Sequence, residues 1–335
     1  MSLLESPVKI VFGAMTFGKP NTLGARVYDV AEAAKFVNVF QKHGHNEIDT
    51  ARGYGNGSSE EFLADLGWQK RGLVMGTKIY PNRFGLPASE DTYNLTPMEL
   101  RRGLMNCLKA LKADRVDLFY LHGPDRSTPL EETLGEVDKL FKEGLFSRFG
   151  ISNFYSWEVA KICEICDAHG WVRPAVYQGM YNALQRTVEA ELLPCLRHYD
   201  ISLYAFQPLA GGFLTGMFTR DQEEFPEGSR FAPGGGANLY RSRYWSDSYF
   251  EAMDIIKSAI SKHGLTVAEV SLRWLTLHSA LKSDLGDAIL LGASKLQHLE
   301  DNLLDVEKGP LPEEVVESLE KAWLIAKGSA PKYWH

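Results

Sequence analysis

The sequence predicts an α/β protein, a (β/α)₈ TIM barrel with a long loop after the seventh strand and a C-terminal helix and tail. Three observations carry this expectation. Short apolar runs alternate with helical patterns along the chain, and eight alternations with short connections favour a closed parallel barrel over an open sheet. A length of 335 residues fits one such barrel, read as a single domain over 1–335. Polar side chains also sit at or just past the ends of three successive apolar runs: Asp49 and Tyr54 after the second, Lys78 after the third, His122 after the fourth. That face, at the C-terminal ends of the strands, is where barrels of this kind place their active sites.

Strands are expected at 8–12, 46–49, 73–78, 116–122, 147–152, 175–181, 202–206 and 288–291. Helical patterns between them include Val27 to His43, Pro97 to Leu111, Leu130 to Glu143 and Trp157 to His169. Ser58-Ser59-Glu60-Glu61 reads as a capping box opening the second helix. Thr96 before Pro97 reads as an N-cap followed by proline at the first helical position. The one long irregular region, 209–247, carries Gly211, Gly212, Gly216, Gly228 and Gly234 to Gly236, with Arg220, Arg230, Arg241 and Arg243. Such a stretch is either a solvated insertion or a loop that folds over a cofactor, its glycines letting backbone N–H groups approach a pyrophosphate.

Composition narrows the function classes. The net charge is −7 without a long basic block, which argues against nucleic acid or an anionic membrane surface as the main partner. No apolar stretch approaches the roughly 18 residues of a membrane span, and no signal-peptide pattern opens the chain. Four cysteines make no disulfide scaffold, so a cytoplasmic location is expected. His43-x-His45 precedes the second strand, on the far face of the barrel, and Cys163-x-x-Cys166 lies inside a helical run with no second pair. Both are read as structural, and no metal site is expected.

The four polar residues have complementary chemistry. A tyrosine hydroxyl is a poor acid near neutrality, and a neighbouring ammonium favours its ionised form, as Lys78 is expected to do for Tyr54. Asp49 would keep Lys78 charged and in place. His122 offers a donor that orients a carbonyl oxygen and shares its developing charge. Such a set suits carbonyl reduction, with the hydride supplied by a cofactor because no side chain donates one.

At these residues the chain resembles the aldo-keto reductase superfamily. The motifs are Phe12-Gly13-Ala14-Met15-Thr16-Phe17-Gly18, Asp49-Thr50-Ala51-Arg52-Gly53-Tyr54-Gly55, Tyr120-Leu121-His122-Gly123-Pro124-Asp125 and Phe149-Gly150-Ile151-Ser152-Asn153-Phe154. They continue in order as Tyr177-Gln178-Gly179-Met180-Tyr181-Asn182, Pro208 to Gly216, and Leu291-Gly292-Ala293-Ser294. Arg241-Ser242-Arg243-Tyr244-Trp245 and the tail Pro331-Lys332-Tyr333-Trp334 look most like the aflatoxin-aldehyde and succinic-semialdehyde reductase branch.

The resemblance implies an NADPH-dependent reductase of aldehydes and ketones with Tyr54 as general acid. It implies that Gln207, Leu209, Gly211, Gly212, Leu214, Gly216 and Met217 cover the cofactor pyrophosphate and that Arg230 contacts a cofactor phosphate; the loop tip near 232–238 is expected to be mobile. Closure of 207–217 over NADPH would then precede entry of a carbonyl between Tyr54 and His122. No Gly-x-Gly-x-x-Gly joins a strand to a helix, so the phosphate site falls to the loop after strand eight. There Ser294, Lys295, His298 and Asn302 would grip the adenosine 2′-phosphate, favouring NADPH over NADH; Ser294 alone could equally be a helix N-cap. Ser152, Asn153 and Gln178 would hold the carboxamide; Tyr204 is either a stacking face for the ring or, as is commoner for an alternating strand aromatic, barrel core. Met15, Tyr333 and Trp334 would line the substrate pocket, and Arg243 would anchor a carboxylate. Relatives carry a second arginine where His335 stands here, which turns expectation toward bulkier neutral or aromatic carbonyls. The same scaffold serves in relatives as a nucleotide-binding potassium-channel subunit, the alternative function, and a homodimer is common in this branch.

Overall fold

The computed structural model describes residues 8–22, 24–81, 92–226, 228–232 and 237–335. Eight strands, β1 (Lys9–Gly13), β2 (Glu47–Asp49), β3 (Val74–Ile79), β4 (Val116–Leu121), β5 (Phe146–Ser152), β6 (Val176–Met180), β7 (Ser202–Phe206) and β8 (Ala288–Leu291), close into one barrel. Every neighbouring pair is parallel, and β8 returns to β1 through Lys9↔Ala288 to Phe12↔Leu291. Each expected strand is present within about two residues of its expected ends.

Helices α1 (Val30–Lys42), α2 (Ser58–Asp65), α3 (Pro97–Leu111), α4 (Leu130–Lys142), α5 (Ser156–His169) and α6 (Leu192–His198) follow the first six strands in turn. Helix α1 starts three residues later than its apolar pattern because Asp29 caps it, accepting from the Glu32 amide at 2.9 Å. Thr96 holds the N-cap position and Pro97 opens α3 as expected, while the Thr96 hydroxyl makes no bond to the helix and donates to Asn94 at 2.6 Å.

The capping box expected at Ser58 does not form. Gly57 holds the N-cap position in the left-handed region, at φ 90°. Ser58 donates to the Gly55 carbonyl, Ser59 to the Ala14 carbonyl, and Glu60 faces Arg52 and Thr77. Tertiary partners have taken the side chains that a local cap would use.

The path from β7 to β8 is the longest. It contains α7 (Ala237–Tyr244), absent from the sequence reading, then α8 (Asp247–Ile260) and α9 (Val267–Leu277). After β8 come α10 (Leu296–Val306) and α11 (Glu313–Ala326), which packs on α8 and leads into the tail.

Strand side chains divide between two apolar cores. Phe12, Phe17, Phe36 and Phe40 join β1 to α1 within the core between sheet and helices, with ring centres 5.3–6.3 Å apart. Burying each such ring contributes about 1.5–3 kcal/mol. Inside the barrel stand Val11, Leu118, Tyr120, Val176, Tyr204, Ala288 and Leu290. Below them Arg148 donates to Glu47 at 3.1 Å and to the Tyr204 hydroxyl at 3.0 Å, closing the floor with charge.

Candidate active site

Asp49, Lys78 and Tyr54 converge because β2, β3 and the turn after β2 bring them to one mouth. Asp49 ends β2 opposite Gly76, and Lys78 stands two residues further along β3. The buried Lys78 ammonium donates to Asp49 Oδ1 at 2.5 Å and to the Thr50 carbonyl at 2.7 Å. Gln178 reaches across from β6 and donates to Asp49 Oδ2 at 2.8 Å. Burial pushes the Asp49 carboxyl up and the Lys78 ammonium down, and their mutual attraction opposes both shifts.

Tyr54 lies in a tight turn whose next two residues, Gly55 and Asn56, both have φ 54°. The sequence reading placed Lys78 so as to lower the Tyr54 hydroxyl. The structure reverses that direction. Burial, and after it the charge of Asp49, hold the hydroxyl well above its ordinary value. Lys78 donates to Asp49 and Thr50, and its nitrogen stands 5.1 Å from the centre of the Tyr54 ring. Tyr54 is therefore a protonated phenol, the form an acid must have.

His122 follows β4 and meets Tyr54 edge to face, with ring centres 5.8 Å apart. Burial first, then Lys78, drive its imidazole well below the usual range, so it is neutral. Its Nδ1 is buried with no hydrogen-bond partner among the described residues. A neutral imidazole next to a protonated phenol gives two neutral donors around one position at the mouth.

Ser152 and Asn153 end β5 beside this group. Asn153 takes φ +67° and donates to the His122 carbonyl at 2.8 Å and to Ser152 Oγ at 3.1 Å. A non-glycine residue held left-handed at a strand end is the kind of strain found at working sites. Of the two readings of Tyr204, barrel core is the one the structure takes: it is buried in the barrel interior with its hydroxyl on the floor. Phe206 is two residues on, at the end of β7, only partly buried, and was missed; period-2 alternation from Tyr204 was the available signal.

The loop after β7 is packed down. Phe213, Phe218 and Phe231 are buried, with Phe218 and Phe231 4.8 Å apart and Phe213 5.3 Å from Phe250. Gln207, Ala210, Gly211, Gly212 and Gly216 all take positive φ, so the chain doubles back in a tight 3-10 turn. Gln207 accepts from the Tyr244 hydroxyl at 2.6 Å, Leu209 is partly buried, Leu214 is in the core and Met217 is exposed. Arg230 donates to the Tyr240 hydroxyl at 2.7 Å, and both act electrostatically on Tyr54. Arg26, from the loop after β1, donates to the Gly228 carbonyl at 2.9 Å and ties the far limb down. The expected tip at 232–238 falls largely outside the described residues.

Ser294 does not cap α10. The N-cap is Lys295, no side chain caps the helix, and Ser294 and Lys295 are exposed. Together with Arg26, Tyr28 and Leu296 they line a cavity of about 550 Å³. Asp29 and Glu32 line the same cavity, Asp29 capping α1 and Glu32 pairing with Lys35, which leaves Arg26 and Lys295 beside the uncapped helix start as a fitting place for a phosphate. His298 is exposed on the first turn, and Asn302 is buried one turn later on the same side.

The substrate-side residues separate. Met15 is half-buried after β1, and Arg243 acts on His335 electrostatically. His335 stacks on Tyr80 at 5.8 Å, and Tyr80 meets His122 at 5.4 Å, so these two rings form a wall beside the site. Tyr333, expected to line the pocket, is instead buried as an anchor of the tail: its hydroxyl donates to Glu191 at 2.5 Å and accepts from the Ser156 amide. Trp334 packs on Tyr155 with the rings tilted by 32° and their centres 3.7 Å apart. Arg126, also missed, holds Glu158 and the His335 carbonyl.

A family model described as the aldo/keto reductase family matches residues 9–324. The chain belongs to the aldo/keto reductase family. This aldo/keto reductase is 46% identical to aldo-keto reductase pigE of Monascus ruber over 97% of both chains. It is 42% identical to aflatoxin B1 aldehyde reductase member 2 of Mus musculus, over 97% of this chain and 87% of the relative. A solved glycerol dehydrogenase of Gluconobacter oxydans shares the fold, with a TM-score of 0.71 at 24% identity over 93% of this chain and 90% of the other. The protein is thus an oxidoreductase of this family, with aflatoxin B1 aldehyde reductases among its relatives. The decoy motifs stay outside the site: His43 binds Glu307, Cys163 and Cys166 are buried, and no group of three or more metal-ligating side chains occurs among the described residues.

Proposed function

We propose that the chain reduces aldehydes and ketones to alcohols with NADPH, using Tyr54 as the general acid. The observation that carries this reading is the meeting of a protonated Tyr54, a neutral His122 and the Lys78–Asp49 pair at one mouth. The nicotinamide, when bound, supplies the hydride that no side chain can. The residues present suit that group. Ser294, Lys295 and Arg26 would hold an adenosine phosphate at the uncapped start of α10. The left-handed turn from Gln207 to Gly216 would lie along the pyrophosphate with Arg230. Ser152, Asn153 and Gln178 would hold the carboxamide, with Phe206 as the aromatic face.

The carbonyl oxygen sits between Tyr54 and His122 in this reading. His122 donates a hydrogen bond as a neutral group and fixes the oxygen. Tyr54 gives its proton to the oxygen as charge develops there, and the nearby Lys78 ammonium supports the phenolate left behind. Asp49, held by Gln178, keeps that ammonium in place. The Tyr80–His335 wall favours bulky or aromatic carbonyls, while Arg243 near His335 can steer an acidic group. The likeness to a mouse protein named as an aldehyde reductase supports an aldehyde as substrate.

The test follows NADPH oxidation with an aromatic aldehyde, succinic semialdehyde, a dicarbonyl and a ketone, with NADH as the cofactor control. Tyr54→Phe should lower kcat by about 10²–10⁴ and leave NADPH affinity within a few-fold. Equal turnover by the variant would refute the acid assignment. Tight NADPH binding with no turnover of any carbonyl would favour a nucleotide-sensing role.

A further inference from the structure

Lys78 and Tyr120 are register partners across β3 and β4, so their side chains enter the barrel side by side. The Lys78 nitrogen lies 5.5 Å from the centre of the Tyr120 ring and 5.1 Å from that of Tyr54. Both distances are within the range of a cation held by an aromatic face. The barrel makes room for the Tyr120 ring: its other register partner is Gly150, where a Cβ would fall 2.3 Å from the ring. The Tyr120 hydroxyl, by contrast, is buried beside the side-chain amide of Gln178, which donates to Asp49 at 2.8 Å, so any part the hydroxyl plays runs through Gln178 and not directly to Lys78.

We propose that Tyr120 is a positioning residue, whose ring works with that of Tyr54 to hold the Lys78 ammonium between two aromatic faces beside Asp49. The ring is the part that acts. The geometry rests on burial: an ammonium removed from water needs compensation, and one carboxylate and one carbonyl leave its remaining surface facing carbon. Aromatic faces are the apolar surface that attracts a cation, and the attraction is largest when desolvated. The titratable groups around Lys78 are Asp49 from β2, Tyr54 from the following turn, Glu60 from α2, Cys107 from α3, and Tyr120 and His122 from β4 and its end. Asp49, Glu60 and Cys107 favour the charged ammonium, and burial opposes it.

This inference rests on the reductase reading, and its test separates the two. Tyr120→Phe and Tyr120→Leu are compared with wild type by the pH dependence of kcat/KM for NADPH-linked reduction, with Tyr120→Met as a second ringless variant should Leu fail to fold. The Phe variant should keep the alkaline limb of the profile. The ringless variants should move it toward acid by about one unit, a tenfold loss at a fixed pH on that limb. An unmoved limb in the ringless variants would overturn the proposal, as would a Phe variant that behaves like Leu, since the hydroxyl would then be the acting part. Absence of turnover in the wild type would refute the reductase reading alone. Thermal unfolding of the same variants then decides about Tyr120: the stability gap between Phe and Leu should narrow as rising pH discharges Lys78, and a gap independent of pH would overturn the proposal.

Discussion

Replacing Glu60 should loosen the catalytic turn from a distance, and the size of the effect follows from its surroundings. Glu60 on α2 is fully buried and takes a hydrogen bond from Arg52 Nη1 at 2.6 Å and another from the Thr77 hydroxyl at 2.6 Å. Arg52 is itself largely buried, stands two residues before Tyr54, and fills the space beside Gly57, where a Cβ would lie 2.1 Å from its guanidinium. Burial raises the Glu60 carboxyl, and Arg52 opposes that shift most among its neighbours.

In Glu60→Gln an amide oxygen still faces Arg52, but the charge-assisted bond is lost, which costs about 1.5–3 kcal/mol. In Glu60→Leu both bonds go and a buried cation loses its carboxylate, which costs about 3–5 kcal/mol. The double change Arg52→Met with Glu60→Leu removes both charges and should recover a large part of the loss. Urea unfolding measures these differences. NADPH-linked kcat should fall about tenfold or more in Glu60→Leu, because small displacements of a reacting group are expensive. A Glu60→Leu protein within 1 kcal/mol of wild type, or a double variant as unstable as the sum of its parts, would refute the reasoning.

Three further outcomes follow. Gly211→Ala places a methyl 2.5 Å from the Tyr240 ring at φ +69°, so it should cost about 1–3 kcal/mol and weaken NADPH binding, read by fluorescence titration; unchanged affinity and stability would contradict the packed loop. Arg243→Met should raise KM for a carboxylated aldehyde at least tenfold more than for its neutral analogue, and equal effects on the two would remove Arg243 as an anchor. His335 is lowered from 6.5 to about 4 by burial and by Arg243 and Arg126, so its docked form is the neutral one. The contribution of that docking is full above pH 6.5 and is lost as pH falls toward 4. Because His335 is exposed, the loss should be much smaller than the shift alone implies; Trp334 fluorescence should report undocking in that window, and a flat signal in wild type would count against it.

Much of the site was legible because its residue types are rare at strand ends. Asp49, Lys78 and His122 each follow an apolar run, and a barrel delivers all such ends to one face, so order along the chain sufficed to group them. The strands were equally legible, since runs of four to seven residues between breaks, most of them apolar, alternate with helical patterns along the chain. What the sequence left open was direction and partner. The Tyr54 hydroxyl goes up, because Lys78 gives its hydrogens to Asp49 and Thr50 and burial dominates, a balance set by three-dimensional placement. Thr96 took its expected N-cap position, but the capping box expected at Ser58 did not form, because Gly55 and Ala14 hold its serines, and Lys295 in place of Ser294 became the N-cap of α10.

By itself, then, the chain determined the barrel, the order of its strands and the four residues at the mouth, all of which follow from local periodicity and residue chemistry. Tertiary structure decided between the two readings of Tyr204, because its hydroxyl meets Arg148 on the barrel floor, a partner 56 positions away that no local pattern encodes. It also decided that the glycine-rich loop is a packed cover, through aromatic contacts between residues up to 37 positions apart that no local pattern encodes. Burial sums contributions from the whole chain, and that is why it fixes the charge states of this site where spacing cannot.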